Sequence, residues 1–421
     1  MQKRPLIGYW GPRFGVFFLV LFPRAGFLVE NLPITIGYLF ICAVGLFLLP
    51  QSPLKSTTCR IKAFLSLLPF QLLAGFTLFQ VGIAHYGFFF SFLLSFFLFP
   101  TLAYLPFSQP LEKLDKGSLL PLLRRASVAL AWIGMILLAF YHLTGHHWGI
   151  PFLTTESLSP NAVLGKHNMR LTFPKLVSTY NNGNIFGLCF LMLFPLTQKR
   201  PIQYAALFLT SSRTVWIALL FQECLSYCMI ERNPKRLFTV SALLALYILM
   251  YSFFIIHNLL FLFDPECGGR LNNSVNFDQI NAVNFDQINA VSFDQINHLF
   301  AVIPFAGIGE MVYHSIAKNF GWVGLITYLI GIGAPLVLYA GRSEKSRSQT
   351  CIAVGLLTYL FASISDGALL YIPVMAFYWL LSSLLLGSPK SFLDGERARA
   401  PAASCPPAPS RSPWLMPYRG E

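Results

Sequence analysis

The sequence predicts an all-α, polytopic integral membrane protein with about twelve transmembrane helices. The chain has 421 residues, of which 55% are hydrophobic and only 11% are charged. Soluble domains carry about 25% charged residues, and this chain has too few to keep a surface of that kind hydrated. Apolar runs of spanning length recur along the chain, whereas a β-barrel would show short segments of alternating hydrophobicity.

The candidate spans are apolar runs separated by polar connections. In chain order they cover approximately residues 14–29, 33–50, 61–83, 86–106, 127–144, 183–197, 202–212, 214–230, 237–263, 319–340, 351–365 and 368–387. Pro23 and Arg24 interrupt the first run. This run leads directly into further runs, so we expect no cleaved signal peptide.

Basic residues cluster in alternate connections between the spans. The clusters are Lys3, Arg4 and Arg13; Lys55, Arg60 and Lys62; Lys113, Lys116, Arg124 and Arg125; Lys199 and Arg200; Arg232, Lys235 and Arg236; Arg342, Lys345 and Arg347; and the basic C-terminal tail. This pattern predicts that they share the cytoplasmic side, with both termini cytoplasmic. The formal net charge of +13 is then a feature of membrane orientation, and we expect no nucleic-acid partner.

We predict a multi-span domain over residues 1–387 and a disordered cytoplasmic tail over 388–421, which is rich in Pro, Ala and Arg. Two long loops, about 145–182 and 264–318, face the opposite side, where chemistry or recognition is concentrated.

The second loop contains three octapeptide repeats over residues 276–299: "NFDQINAV" twice and then "SFDQINHL". Three short copies are too few for a solenoid, so tandem duplication in a tolerant surface loop is the simplest interpretation. A calcium-binding or partner-binding role for Asp278, Asp286 and Asp294 is the alternative.

Three side chains stand out as candidates for chemistry: Arg213 in "SSRTVW", Arg270 in "ECGGRLNNS" and His314 in "GEMVYHS". An arginine at membrane depth is costly unless it finds a counter-charge or water, and its guanidinium fits a phosphate. Histidine is the usual general base near neutral pH. The plainer alternatives are an interfacial arginine that reaches water and a solvated loop histidine.

The segments "SSRTVWIAL", "GGRL" and "IPFAGIGEMVYHS", followed by "FGWVGLITYL", resemble in this order the O-antigen ligase and polymerase family of bacterial membrane glycosyltransferases. The resemblance covers about residues 205–335. Ser315 stands where the family usually has Asn, and no tryptophan closely follows Arg270.

The resemblance implies a GT-C-like membrane protein of the bacterial inner membrane that acts in lipopolysaccharide biosynthesis. Its activity would be inverting transfer of a glycan from a polyprenyl (undecaprenyl) diphosphate to an acceptor hydroxyl, such as that of lipid A-core, on the periplasmic face. It implies that Arg213 and Arg270 stabilise the leaving diphosphate and that His314 removes the hydroxyl proton. Neither a metal nor a cofactor is expected.

Four further residues are candidate substrate-binding groups. Glu310 lies one helical turn before His314 and would orient its imidazole if this segment is helical. In the first of the two long loops, about 145–182, Lys166, Arg170 and Lys175 would hold further phosphates of the carrier or acceptor.

Several alternatives stay open. O-antigen polymerases and protein O-oligosaccharyltransferases share the same core motifs. A metal-dependent lipid-linked glycosyltransferase would use Asp264 and Glu266, which have carboxylate spacing suited to a divalent cation. A multi-span transporter, with Gly-rich segments such as "LIGIGAP" as gating elements, is the alternative from another class.

Overall fold

Helices make up most of the computed structural model. It describes residues 13–29, 32–48, 58–83, 86–106, 116–146, 148–150, 152–154, 168–170, 173–180, 182–197, 200–251, 253, 311–369 and 371–388. The predicted repeats, the tail beyond residue 388, most of the second predicted long loop and part of the first, chiefly residues 155–167, lie outside these residues.

The helices follow the predicted apolar runs. In chain order they are α1 (Ile36–Leu48), α2 (Thr58–Val81), α3 (Tyr86–Leu93), α4 (Phe99–Tyr104), α5 (Lys116–Thr144), α6 (Gly183–Leu193), α7 (Pro201–Phe208), α8 (Arg213–Met229), α9 (Pro234–Tyr251), α10 (Val312–Ala340), α11 (Arg347–Ala362) and α12 (Ile372–Leu385). A π-helical segment, Leu94–Leu98, joins α3 to α4, and a 3₁₀ turn, Phe194–Leu196, extends α6.

Two small antiparallel strand pairs accompany the helices. β1 (Gly26–Val29) pairs with β2 (Leu32–Thr35), and β3 (Met169–Arg170) pairs with β4 (Phe173–Pro174). The first predicted span, 14–29, therefore ends early: its π-helical segment, Phe17–Leu21, gives way to a turn and then to β1. Pro23 lies in this turn, and proline cannot donate the amide hydrogen bond that would continue a helix.

Five stretches among the described residues are long and apolar enough to cross a membrane: Thr58–Gln80, Tyr86–Tyr104, Leu119–Thr144, Pro234–Tyr251 and Val312–Ala340. Shorter apolar helices cover Ile36–Gly45, Gly183–Leu196 and Ile372–Leu385. Large hydrophobic side chains stand exposed on the spans, as with Phe79, which is 90% exposed. An apolar surface of this kind suits lipid contact. The count of about twelve spans stays a prediction.

The centre of the bundle is formed by α6, α11 and α12. Almost all residues of α6 and α12 are buried, as are most residues of α11. Helix α11 packs so closely against α6 that a Cβ at Gly355 would overlap the backbone carbonyl of Met192. Close backbone approach at small residues is typical of helix association in membranes. On another side, Phe70 of α2 makes edge contacts with Phe320 and Tyr328 of α10.

Helix α10 is broken at Gly321, where φ is 69° and ψ is −179°. This positive φ is a conformation that glycine adopts without a steric penalty. The break separates a short N-terminal segment, 312–320, from the longer remainder of the helix. His314 lies in that short segment, and the helix begins at Val312, seven residues before the predicted start of the span at 319.

The basic residues of several predicted clusters meet at one end of the bundle, which we call the arginine-rich end and define by Arg60, Arg124, Arg236, Arg342 and Arg347. Two of these arginines bond to the end of α12. Buried Arg60 donates to the Ser383 carbonyl at 3.1 Å, and Arg342 donates to the Leu386 carbonyl at 2.6 Å. The assignment of this end to the cytoplasm stays a prediction.

Candidate functional site

The opposite end of the bundle, which we call the Arg213 end, brings together the starts of α6, α8 and α10 and the loop that follows α11. Arg213 is the first residue of α8 and is half-buried. The Ser212 hydroxyl caps this helix by accepting from the Val215 amide at 3.4 Å. Ser211 has a φ of 50°, which is uncommon for a residue with a side chain. This sharp turn sets the direction in which α8 leaves α7.

A short segment before α6, residues 174–180, lines the site and is buried throughout. The Leu176 amide donates to the Leu209 carbonyl at 2.8 Å, so the segment is tied to the turn that precedes Arg213. It is also tied to the start of the chain, because Tyr180 Oη donates to the Val20 carbonyl at 3.1 Å. These bonds fix the segment beyond its first residue, Pro174, which belongs to strand β4.

A polar network crosses the site beneath this segment. Lys175 Nζ donates to Asn184 Oδ1 at 3.3 Å, and Asn184 Nδ2 donates to Asp366 Oδ2 at 2.6 Å. Lys175 and Asp366 are only 5% and 4% exposed. Burying charged groups is costly unless they are paired and hydrogen-bonded. The amide of Asn184 therefore joins a buried ammonium to a buried carboxylate.

A second contact joins α8 to the loop after α11. Thr214 Oγ1 and Ser365 Oγ share a hydrogen bond of 3.0 Å. Thr214 follows Arg213 and Ser365 precedes Asp366, so this bond places the start of α8 beside the buried polar network.

His314 lies at the same end of the bundle. Its neighbour Tyr313 donates through Oη to the Leu360 carbonyl at 2.6 Å, near the end of α11. A Cβ at Gly367, in the loop after α11, would overlap the Val312 side chain, so the start of α10 packs directly on this loop. The His314 side chain is exposed. The loop after α11 therefore contacts both the helix that begins with Arg213 and the helix that carries His314.

The other predicted site residues have different outcomes. Arg270, Lys166 and Glu310 lie outside the described residues. Arg170 falls in strand β3, where only its backbone is described. Lys175 is buried and bonded to Asn184, whereas the sequence predicts a loop lysine that holds a phosphate.

Sequence reasoning missed Asn184, Asp366 and Arg24 as parts of this end of the bundle. The first two occur in the polar stretches "NNGN" and "SISDG" at the borders of apolar runs, and polar groups at such borders were a usable signal. Arg24 stands out in the sequence only because it interrupts a span. Burial lowers the pKa of Arg24 below its usual range, while electrostatic interaction with Tyr371 and Tyr38 opposes this shift.

No group of three or more His, Cys, Asp or Glu side chains that could hold a metal ion occurs in the described part of the chain. The carboxylates of the metal-dependent alternative, Asp264 and Glu266, lie outside it.

Comparison of the chain with models of protein families, with curated proteins and with solved structures finds no match.

Proposed function

We propose that this protein transfers a glycan from a polyprenyl diphosphate carrier to an acceptor hydroxyl, by an inverting and metal-independent reaction like that of the O-antigen ligases. The observation that carries the proposal is that Arg213 and His314 are on the first turns of two helices that contact the same loop, 363–367. A cation and a general base at one end of an apolar bundle match the chemistry of a diphosphate leaving group.

In the proposed reaction, the acceptor oxygen forms a bond to the anomeric carbon as the bond from that carbon to the diphosphate oxygen breaks. The diphosphate leaves with the bonding electron pair, and the acceptor proton passes to His314. Arg213, together with Arg270, stabilises the charge on the departing diphosphate. The leaving group is already an anion and needs no general acid.

The buried network of Lys175, Asn184 and Asp366 supports the proposal as a rigid base for the site. It fixes segment 174–180 against the loop after α11, and the Thr214–Ser365 bond fixes α8 against the same loop. Precise placement of catalytic groups depends on supports of this kind. The acceptor separates a ligase from a polymerase or a protein O-oligosaccharyltransferase, and these side chains are compatible with all three enzymes.

The test is glycan transfer by the purified full-length chain in liposomes that contain a polyprenyl diphosphate glycan and a glycolipid acceptor. Removal of a charge-stabilising donor costs about 10²–10³ in rate, so Arg213→Ala is expected to lose transfer to that extent. Arg232→Ala is the matched control, because Arg232 is exposed beyond the far end of α8. Equal rates in the two variants would overturn the role of Arg213.

A transporter is the second candidate, and two observations favour it. Buried ionisable groups, here Lys175 and Asp366, and a helix broken at Gly321 are both found in transporters. Substrate uptake by the same liposomes, without glycan transfer, would support this alternative.

A further inference from the structure

A cavity of about 540 Å³ opens at the arginine-rich end, on the side of the bundle away from Arg213. Its size falls within the range of about 300–1,000 Å³ that is usual for small-ligand sites. It lies between the end of α8, the starts of α9 and α11 and the 3₁₀ turn that extends α6. No part of the transfer mechanism uses this cavity, so a ligand bound here would be independent of the proposed function.

The charged residues that line the cavity are Arg124, Arg236, Arg347, Glu223 and Glu231. Among the described residues of this lining, three arginines against two glutamates leave one positive charge. Arg236 pairs with buried Glu223 at 3.1 Å and with Glu231 at 3.4 Å, and Arg347 also pairs with Glu231. Arg124 donates through Nε to the Leu196 carbonyl at 2.6 Å, which is a neutral acceptor. The positive charge left over is therefore that of Arg124.

The backbone adds further attraction for an anion. Helices α9 and α11 both begin at this cavity, and Asn233 and Ser348 at their starts line its wall. The positive ends of two helix dipoles therefore lie beside the cavity that Arg124 also lines. Guanidinium groups recognise phosphate oxygens through paired hydrogen bonds.

We propose that this cavity binds a phosphate group that carries a single negative charge, with Arg124 and Arg347 as its principal ligands. One such charge balances the one positive charge that the described lining residues carry. Two sources offer this chemistry: the phosphodiester headgroup of an anionic lipid, and inorganic phosphate in its monoanionic form. The lipid is the source that the surroundings favour, because the cavity lies at the end of a lipid-exposed bundle. Occupancy would hold the ends of α8, α9 and α11 together.

The test measures thermal unfolding of the full-length chain in two arms. In the first arm, nanodiscs of phosphatidylcholine are compared with nanodiscs that also contain phosphatidylglycerol. In the second arm, inorganic phosphate is titrated into protein in phosphatidylcholine nanodiscs. We expect the unfolding midpoint to rise with phosphatidylglycerol, since a ligand that binds only the folded state stabilises it. A rise with inorganic phosphate would assign the site to the free ion as well.

Arg124→Gln is expected to need about tenfold more ligand for the same rise in midpoint, the effect of losing one charge-assisted contact. Arg125→Gln is the matched control, because Arg125 is exposed and does not line the cavity. Arg347→Gln is a second variant for the case in which Arg124→Gln fails to fold, because the Arg347 side chain is 65% exposed. The proposal is overturned if the wild-type midpoint responds in neither arm, or if Arg125→Gln loses the response as fully as Arg124→Gln.

Discussion

Thr214 and Ser365 share a side-chain hydrogen bond of 3.0 Å across a separation of 151 residues. The bond joins the first turn of α8, beside Arg213, to the loop after α11, beside Asp366. That loop also packs against the start of α10, which carries His314. The relative placement of the candidate cation and the candidate base therefore depends on this loop.

Thr214→Val is expected to destabilise the fold by about 1 kcal/mol, because a half-buried hydrogen bond is lost and the Ser365 hydroxyl loses a partner. We also expect glycan transfer to fall by more than this loss of stability explains, because α8 carries Arg213. Thermal unfolding and transfer rate are measured for Thr214→Val, Ser365→Ala and the double variant. If the effects of the two single variants simply add, the two hydroxyls do not interact as described.

Asp366→Ala is expected to cost about 1–3 kcal/mol of stability, because it leaves the buried Asn184 amide without its acceptor. Glu344→Ala is the control, because it removes an exposed carboxylate at the opposite end of the bundle. The free energy of unfolding of both variants is measured by denaturant titration. Equal values would show that the Lys175–Asn184–Asp366 network is not structural.

Gly355→Ala is expected to destabilise the bundle by about 1–3 kcal/mol, because the new Cβ would overlap the Met192 backbone and force α6 and α11 apart. Gly75→Ala, in α2, is the matched control: a Cβ there meets no atom of the described residues within 4 Å. Alanine also has a higher helix propensity than glycine, by about 0.8–1.0 kcal/mol. Gly75→Ala should therefore unfold at the same or a higher temperature. A tolerated Gly355→Ala would contradict the tight contact between α6 and α11.

Gly321→Ala is expected to cost about 1–3 kcal/mol, because alanine is strained at a φ of 69°. Relief of this strain would straighten α10 and move the segment that carries His314, so transfer should fall as well. Gly333→Ala, in the same helix, is the control, because no atom in the described part of the chain lies within 4 Å of the new Cβ. Thermal unfolding and glycan transfer are compared for the two variants. Equal unfolding temperatures and equal transfer rates would contradict the break of α10 at Gly321.

The sequence alone predicted the helical bundle and the starts of several helices, because apolar runs and short polar breaks are local signals. Arg213 at the start of α8 follows from the polar "SSRT" between two such runs. The pairing of Asn184 with Asp366 could not be predicted, because 182 residues separate them and each needs the folded bundle to meet the other. The break at Gly321 was likewise missed, since glycine within an apolar run is compatible with an unbroken helix.

The most direct test of the central claim is the initial rate of glycan transfer by His314→Ala, with binding of the labelled carrier measured in the same preparation. Because His314 is assigned as the general base, we expect the rate to fall by about 10²–10⁴ while carrier binding is retained. His142→Ala, which removes an exposed histidine at the end of α5, should transfer at the wild-type rate. Wild-type transfer by His314→Ala would contradict the assignment of His314 as the base.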